Sequence, residues 1–101
     1  MTSKLDKPRQ RMRELLTRTL EDQDALTALA AARDLRLLLY EWEGVLARKG
    51  VADGSSWEEV GSLLGVSRQA AWTRYKDPTP ETPAIREARE RVAKARNRSS
   101  E

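Results

Sequence analysis

The stretch Ser56–Lys76, SWEEVGSLLGVSRQAAWTRYK, constrains the fold of this chain more than any other. Ser56 and Glu59 form an S-x-x-E capping box, in which side chain and backbone satisfy each other's donors at a helix start. A short helix is predicted over Trp57–Leu64. Gly65 ends it, because glycine enters the left-handed region at little steric cost. Ser67 can accept from the amides of a second helix, predicted from Arg68 to about Lys76 and closed by Asp77-Pro78. Two short helices that cross steeply over a tight turn need a small residue where they approach, and Gly61 supplies it. They also need apolar residues at the crossing, and Val60, Leu64, Val66 and Ala71 hold those places. The competing reading is an ordinary helical hairpin in a core.

The rest of the chain also reads as helix. Asp6 precedes Pro8, and proline is tolerated in a first turn. A helix is predicted from about Lys7 to Leu20, with Met12, Leu15, Leu16 and Leu20 on its apolar side. After EDQD, Asp22 or Asp24 can cap a second helix that runs to Arg48 or Lys49 and stops at Gly50. Gly44 is its internal weak point. Ala28, Ala31, Leu35, Leu38, Trp42 and Val45 recur at spacings of three and four, and Leu39 and Leu46 widen that stripe. Leu26, Leu29 and Leu37 fall partly elsewhere. One core needs one stripe, so the excess predicts packing on more than one side, including a second subunit. Trp42 and Trp57 are expected in the core, where an indole covers a large area.

Pro78, Pro80 and Pro83 exclude regular helix from 78 to 82 and disfavour a hairpin wing. Thr82-Pro83 then reads as an N-cap and first-turn pair. A charged helix follows, with Ile85, Ala88, Val92 and Ala95 in a thin apolar line and i,i+4 pairs Glu87–Arg91 and Glu90–Lys94. It can dock on the body, pair with its copy, or lie along a polymer. The tail, residues 98–101, is expected to be mobile. The fold class is therefore all-α. The organisation expected is a basic helix over 1–21, a long helix plus two short ones over 22–77, and a proline-rich linker with a basic helix and tail over 78–101.

The chain has no cysteine and no histidine, which removes disulfides, thiol chemistry, zinc fingers and imidazole catalysis. No uncharged run approaches the ~20 apolar residues of a membrane span. The basic N-terminus has no apolar signal core behind it. Glu58 and Glu59 are adjacent and diverge on a helix, as do the closely spaced Glu41 and Glu43, so neither makes an acid–base pair. No enzyme, metal or cofactor is expected, and the chain reads as cytoplasmic. Net charge is +3, but its distribution is uneven. Lys4, Lys7, Arg9, Arg11 and Arg13 crowd the start. Arg86, Arg89, Arg91, Lys94, Arg96 and Arg98 crowd the end. Two basic ends suit an anionic polymer, and solvated helix faces are the alternative.

The segment WEEVGSLLGVSRQAAWTRY resembles the helix-turn-helix of bacterial transcription regulators, particularly the promoter-reading fourth region of sigma factors. It is also similar to units in small actinobacterial DNA-binding proteins, where a long helix precedes the motif. The resemblance covers about 20 residues closely. It implies a helix-turn-helix core made of the end of the long helix, a support helix and a recognition helix in the major groove of double-stranded DNA. At Arg74 the chain departs from the family, which places an aliphatic residue there. Tyr75, four residues after Ala71, can take the core role instead.

With Ala71 and Tyr75 inward, the outward face of residues 68–76 is Arg68, Gln69, Trp72, Thr73 and Lys76. Arg68 suits a bidentate contact to guanine and Gln69 one to adenine, and either can instead reach phosphate. Ser67 and Thr73 suit backbone oxygens, and Arg74 and Lys76 suit phosphates. Trp72 reads as a packing residue under a neighbouring helix or as a thymine-methyl contact, with packing preferred. The resulting expectation is a transcriptional regulator, nucleoid-associated and homodimeric through residues 24–49. A helical adaptor module that keeps this shape but has little DNA affinity is the alternative.

Overall fold

The computed structural model describes residues 5–99, with side chains described through Ala95. Lys4, the side chains of Arg96 and Arg98, and residues 100–101 lie outside the described residues. Among the described residues the chain is all-helical: α1 (Asp6–Glu21), α2 (Ala25–Ala52), α3 (Trp57–Leu64), α4 (Arg68–Tyr75) and α5 (Pro83–Ser99). Helix α5 thus extends two residues into the expected tail.

The helix ends follow local chemistry. Asp24 caps α2, its carboxylate accepting from the Thr27 amide at 2.9 Å and the Thr27 hydroxyl at 2.6 Å. Those bonds, the hydroxyl's first, hold the Asp24 pKa below its ordinary value. Thr82 accepts from the Ile85 amide at 3.2 Å and starts α5 at Pro83. Gly50 does not stop α2. The helix runs through it to Ala52, and the left-handed residue is Gly54, with φ 116°. The Ser55 amide donates to Gly50 O at 2.9 Å and the Gly54 amide to Val51 O at 3.1 Å, the paired closure of a Schellman motif.

The chain divides into two compact units: Met1–Leu39 with Glu81–Glu101, and Tyr40–Pro80. In the first, α5 docks rather than standing free. Ile85, Ala88 and Val92 are buried with Leu15 of α1 and Ala31 and Leu38 of α2, and Met12, Leu35 and Leu37 pack around them. Of the leucines expected on the apolar side of α1, Leu16 is half exposed and Leu20 is 73% exposed. A single helix buries a stripe, and Leu15 and Met12 already fill it.

Arg91 feels the expected charge of Glu87 on its own helix, but its hydrogen bonds go to Asp34 of α2. Its Nη2 donates to Asp34 Oδ1 at 2.7 Å, and its Nε lies 3.0 Å from Oδ2. Arg33 Nε donates to the same Oδ1 at 3.1 Å. Asp34 is only 4% exposed. Burial pushes its pKa up, but the hydrogen bonds and charges of Arg91 and Arg33 outweigh it and hold the carboxyl below its ordinary range.

Candidate nucleic-acid interface

The second unit is built from the end of α2, α3 and α4. Its core is Ala47, Val60, Ala71 and Tyr75, with Val51, Trp57 and Val66 packed against it. Trp57 and Trp42 are both half-buried. Ser56 begins α3 with the expected capping box: the Glu59 amide donates to Ser56 Oγ at 3.1 Å, and the Ser56 amide to Glu59 Oε1 at 3.4 Å.

The turn between α3 and α4 depends on its two glycines for different reasons. Gly65 sits at φ 72°, ψ 27°, in the left-handed region. Its amide and that of Val66 donate back to Ser62 O and Gly61 O at 3.3 and 2.9 Å. Gly61 is needed for space. A Cβ there would lie 2.7 Å from the Val66 carbonyl oxygen and 2.9 Å from that of Ser67. The close approach expected at Gly61 is thus made by the backbone of the turn. Of the residues assigned to the crossing, Val60 and Ala71 are buried and Val66 is half-buried, whereas Leu64 is partly exposed at the surface.

Helix α4 is anchored on its inner side. Tyr75 is 0% exposed, and its hydroxyl donates to Glu43 Oε2 at 2.7 Å. Burial first, then that bond to a carboxylate, raises the phenol's pKa above its ordinary value. Arg48 Nη1 donates to the carbonyls of Tyr75 and Asp77 at 3.1 and 2.9 Å, satisfying acceptors left open at the end of α4. Neither Glu43 nor Arg48 stood out in the sequence, because a helix's polar residues do not announce which of them will face a later element.

The outer side of α4 carries the residues singled out for binding. Ser67 is spent partly on capping, accepting from the Ala70 amide at 3.1 Å. Arg68, Gln69, Thr73, Arg74 and Lys76 are all exposed. Gln69 Nε2 lies 3.4 Å from Thr73 Oγ1, one turn away. Trp72 does not join the buried core. It is 41% exposed, and Lys76 Nζ lies 4.1 Å from the centre of its ring, a cation–π contact. The reason is geometric: Ala71 and Tyr75 take the buried face, and Trp72 is turned about 100° from Ala71. The Arg74 guanidinium lies 5.7 Å from the Tyr75 ring centre, and interaction with the Tyr75 hydroxyl raises its pKa further.

From Val60 to Lys76 the sequence contains Arg68, Arg74 and Lys76 and no carboxylate. The face therefore combines cations, an amide, hydroxyls and one indole edge. That set can meet an anionic polymer and hydrogen-bond to base edges. Among the described residues no group of acidic side chains gathers that could hold a metal ion. No described helix is long and apolar enough to cross a membrane. No family, no curated protein and no solved structure matches the chain.

Proposed function

We propose that this protein binds double-stranded DNA sequence-specifically, with α4 in the major groove, and regulates transcription as a homodimer. One observation carries the reading: α4 buries Ala71 and Tyr75 and leaves Arg68, Gln69, Thr73, Arg74 and Lys76 exposed, in a stretch from Val60 to Lys76 that contains no carboxylate. Arg68 and Gln69 sit in the first turn, the part of such a helix that reaches deepest into the groove, and act as base readers. Arg74, Lys76, Ser67 and Thr73 hold the phosphates, and Trp72 offers an apolar edge to a thymine methyl. The helix N-terminus adds a favourable field for the anionic backbone.

One short helix reads few base pairs, and the apolar surplus of residues 24–49 supports pairing with a second copy. Leu26, Leu29, Leu39 and Leu46 remain exposed on α2. A two-fold dimer places its reading helices one turn of DNA apart, about 34 Å or a multiple, and favours an inverted repeat.

Selection of bound duplexes from a random library tests the reading. The expected result is an enriched motif with two inverted half-sites. Recovery of no motif above the starting pool counts against it.

A further inference from the structure

We infer that a groove between the second half of α2 and α3 binds helix α1 of a second copy of this chain. The inference rests on the dimeric part of the proposed reading, seats the contact on α1 and this groove instead of on Leu26, Leu29 and Leu39, and does not depend on DNA.

The groove has a volume of about 240 Å³. Its floor and walls include Leu46, Ala47, Leu63 and Leu64, and Glu43 and Glu59 stand among them. Leu63 is 88% exposed, so this apolar surface is open to water. No residue of α4 lines it, which leaves the outer face of α4 available while the groove is filled.

The two carboxylates decide what can enter. No lysine or arginine lines the groove. Two copies meeting groove to groove would bring four carboxylates together against an apolar surface, where like charges are strongly disfavoured. The occupant must therefore carry leucine-like side chains and cations on one face. Helix α1 presents that face. Arg9, Arg13, Leu16 and Leu20 are all exposed and follow one another at spacings of four, three and four, so they form one stripe. The stripe is about 17 Å long at the rise of an α-helix. Its leucines suit the apolar floor, and Arg13 brings the charge opposite to that of Glu43, which also accepts from Tyr75, and of Glu59, which also accepts from Ser56. Arg9 is paired within its own helix, reaching Asp6 at 3.7 Å, so Arg13 is the cation on which the contact relies. Each copy offers one groove and one stripe, so each can supply either half of the contact.

Sedimentation of the full-length protein across micromolar concentrations, without DNA, tests this. The wild type is expected to dimerise. Leu20→Glu spoils the stripe and Leu63→Glu the groove, and each alone is expected to be monomeric with unchanged helical circular dichroism. Both side chains are exposed, so neither change removes core packing. Mixing the two variants restores one intact groove–stripe contact, and association is expected to reappear in the mixture only. Arg13→Glu should weaken the wild-type dimer, most at low salt. A monomeric wild type, dimers that survive both leucine variants, or a mixture that stays monomeric overturns the inference. If Leu26→Glu and Leu29→Glu abolish a dimer that Leu20→Glu and Leu63→Glu leave intact, this surface is wrong while the homodimer stands.

Discussion

The hydroxyl of Tyr75, the last residue of α4, donates to the Glu43 carboxylate of α2 at 2.7 Å. The bond holds one end of the helix whose other end carries Arg68 and Gln69. Tyr75→Phe keeps the ring and loses the bond, and should cost about 1 kcal/mol because Glu43 is itself exposed. Tyr75→Ala also empties the core and should cost about 3–5 kcal/mol in urea unfolding. The raised phenol pKa has a consequence at high pH. Its stabilisation is fully present below the ordinary value of 10.0 and is lost as pH rises through the higher folded value. Unfolding of the wild type should steepen in alkali, and Tyr75→Phe should flatten that limb.

The glycines separate by what surrounds them. Gly61→Ala forces a methyl against two turn carbonyls and should cost about 1–3 kcal/mol. Gly65→Ala places a side chain at φ 72° and should cost about 1–2 kcal/mol. Gly50 lies inside α2 with nothing within 4 Å of a Cβ, so Gly50→Ala should stabilise by about 0.5–1 kcal/mol. Thermal melts of the three variants check the order and the opposite sign.

Asp34 makes the first unit acid-sensitive. Its folded pKa is lowered, so its contribution is present above the ordinary value of 3.8 and is lost as pH falls through the folded value. Arg91→Ala removes the bidentate partner but leaves Arg33, and should cost about 1–3 kcal/mol at neutral pH. Asp34→Asn should cost stability at neutral pH and flatten the acid limb of a pH series of denaturation curves.

Much of the helical layout was legible because it depends on local signals. The capping box at Ser56, the caps at Ser67 and Thr82, the proline breaks and the burial of Ala71 with Tyr75 all follow from residues a few positions apart. Long-range choices were harder. Gly50 offered a stop, but α2 has a better one at Gly54, where the backbone needs φ 116°. Arg91 has acidic neighbours on its own helix, yet its bidentate partner is Asp34, 57 residues away. The available signal was a charge in an apolar stripe: Asp34 sits at a buried spacing from Ala31 and Leu38. Trp72 was ambiguous because a large aromatic beside a buried pair can turn either way. The outer face of α4 was legible by subtraction, once its inner pair was known.

Duplex binding as a function of salt tests the central claim most directly. Wild-type protein on its selected site should lose affinity linearly in log–log form as salt rises. Arg74→Ala and Lys76→Ala should each weaken binding to all sequences alike and reduce the slope by about one unit. Arg68→Ala and Gln69→Ala should each flatten preference at one base position per half-site, by about 1–3 kcal/mol, with the fold intact. Little duplex affinity at moderate salt, or a sequence preference unchanged by Arg68→Ala and Gln69→Ala, would contradict the account.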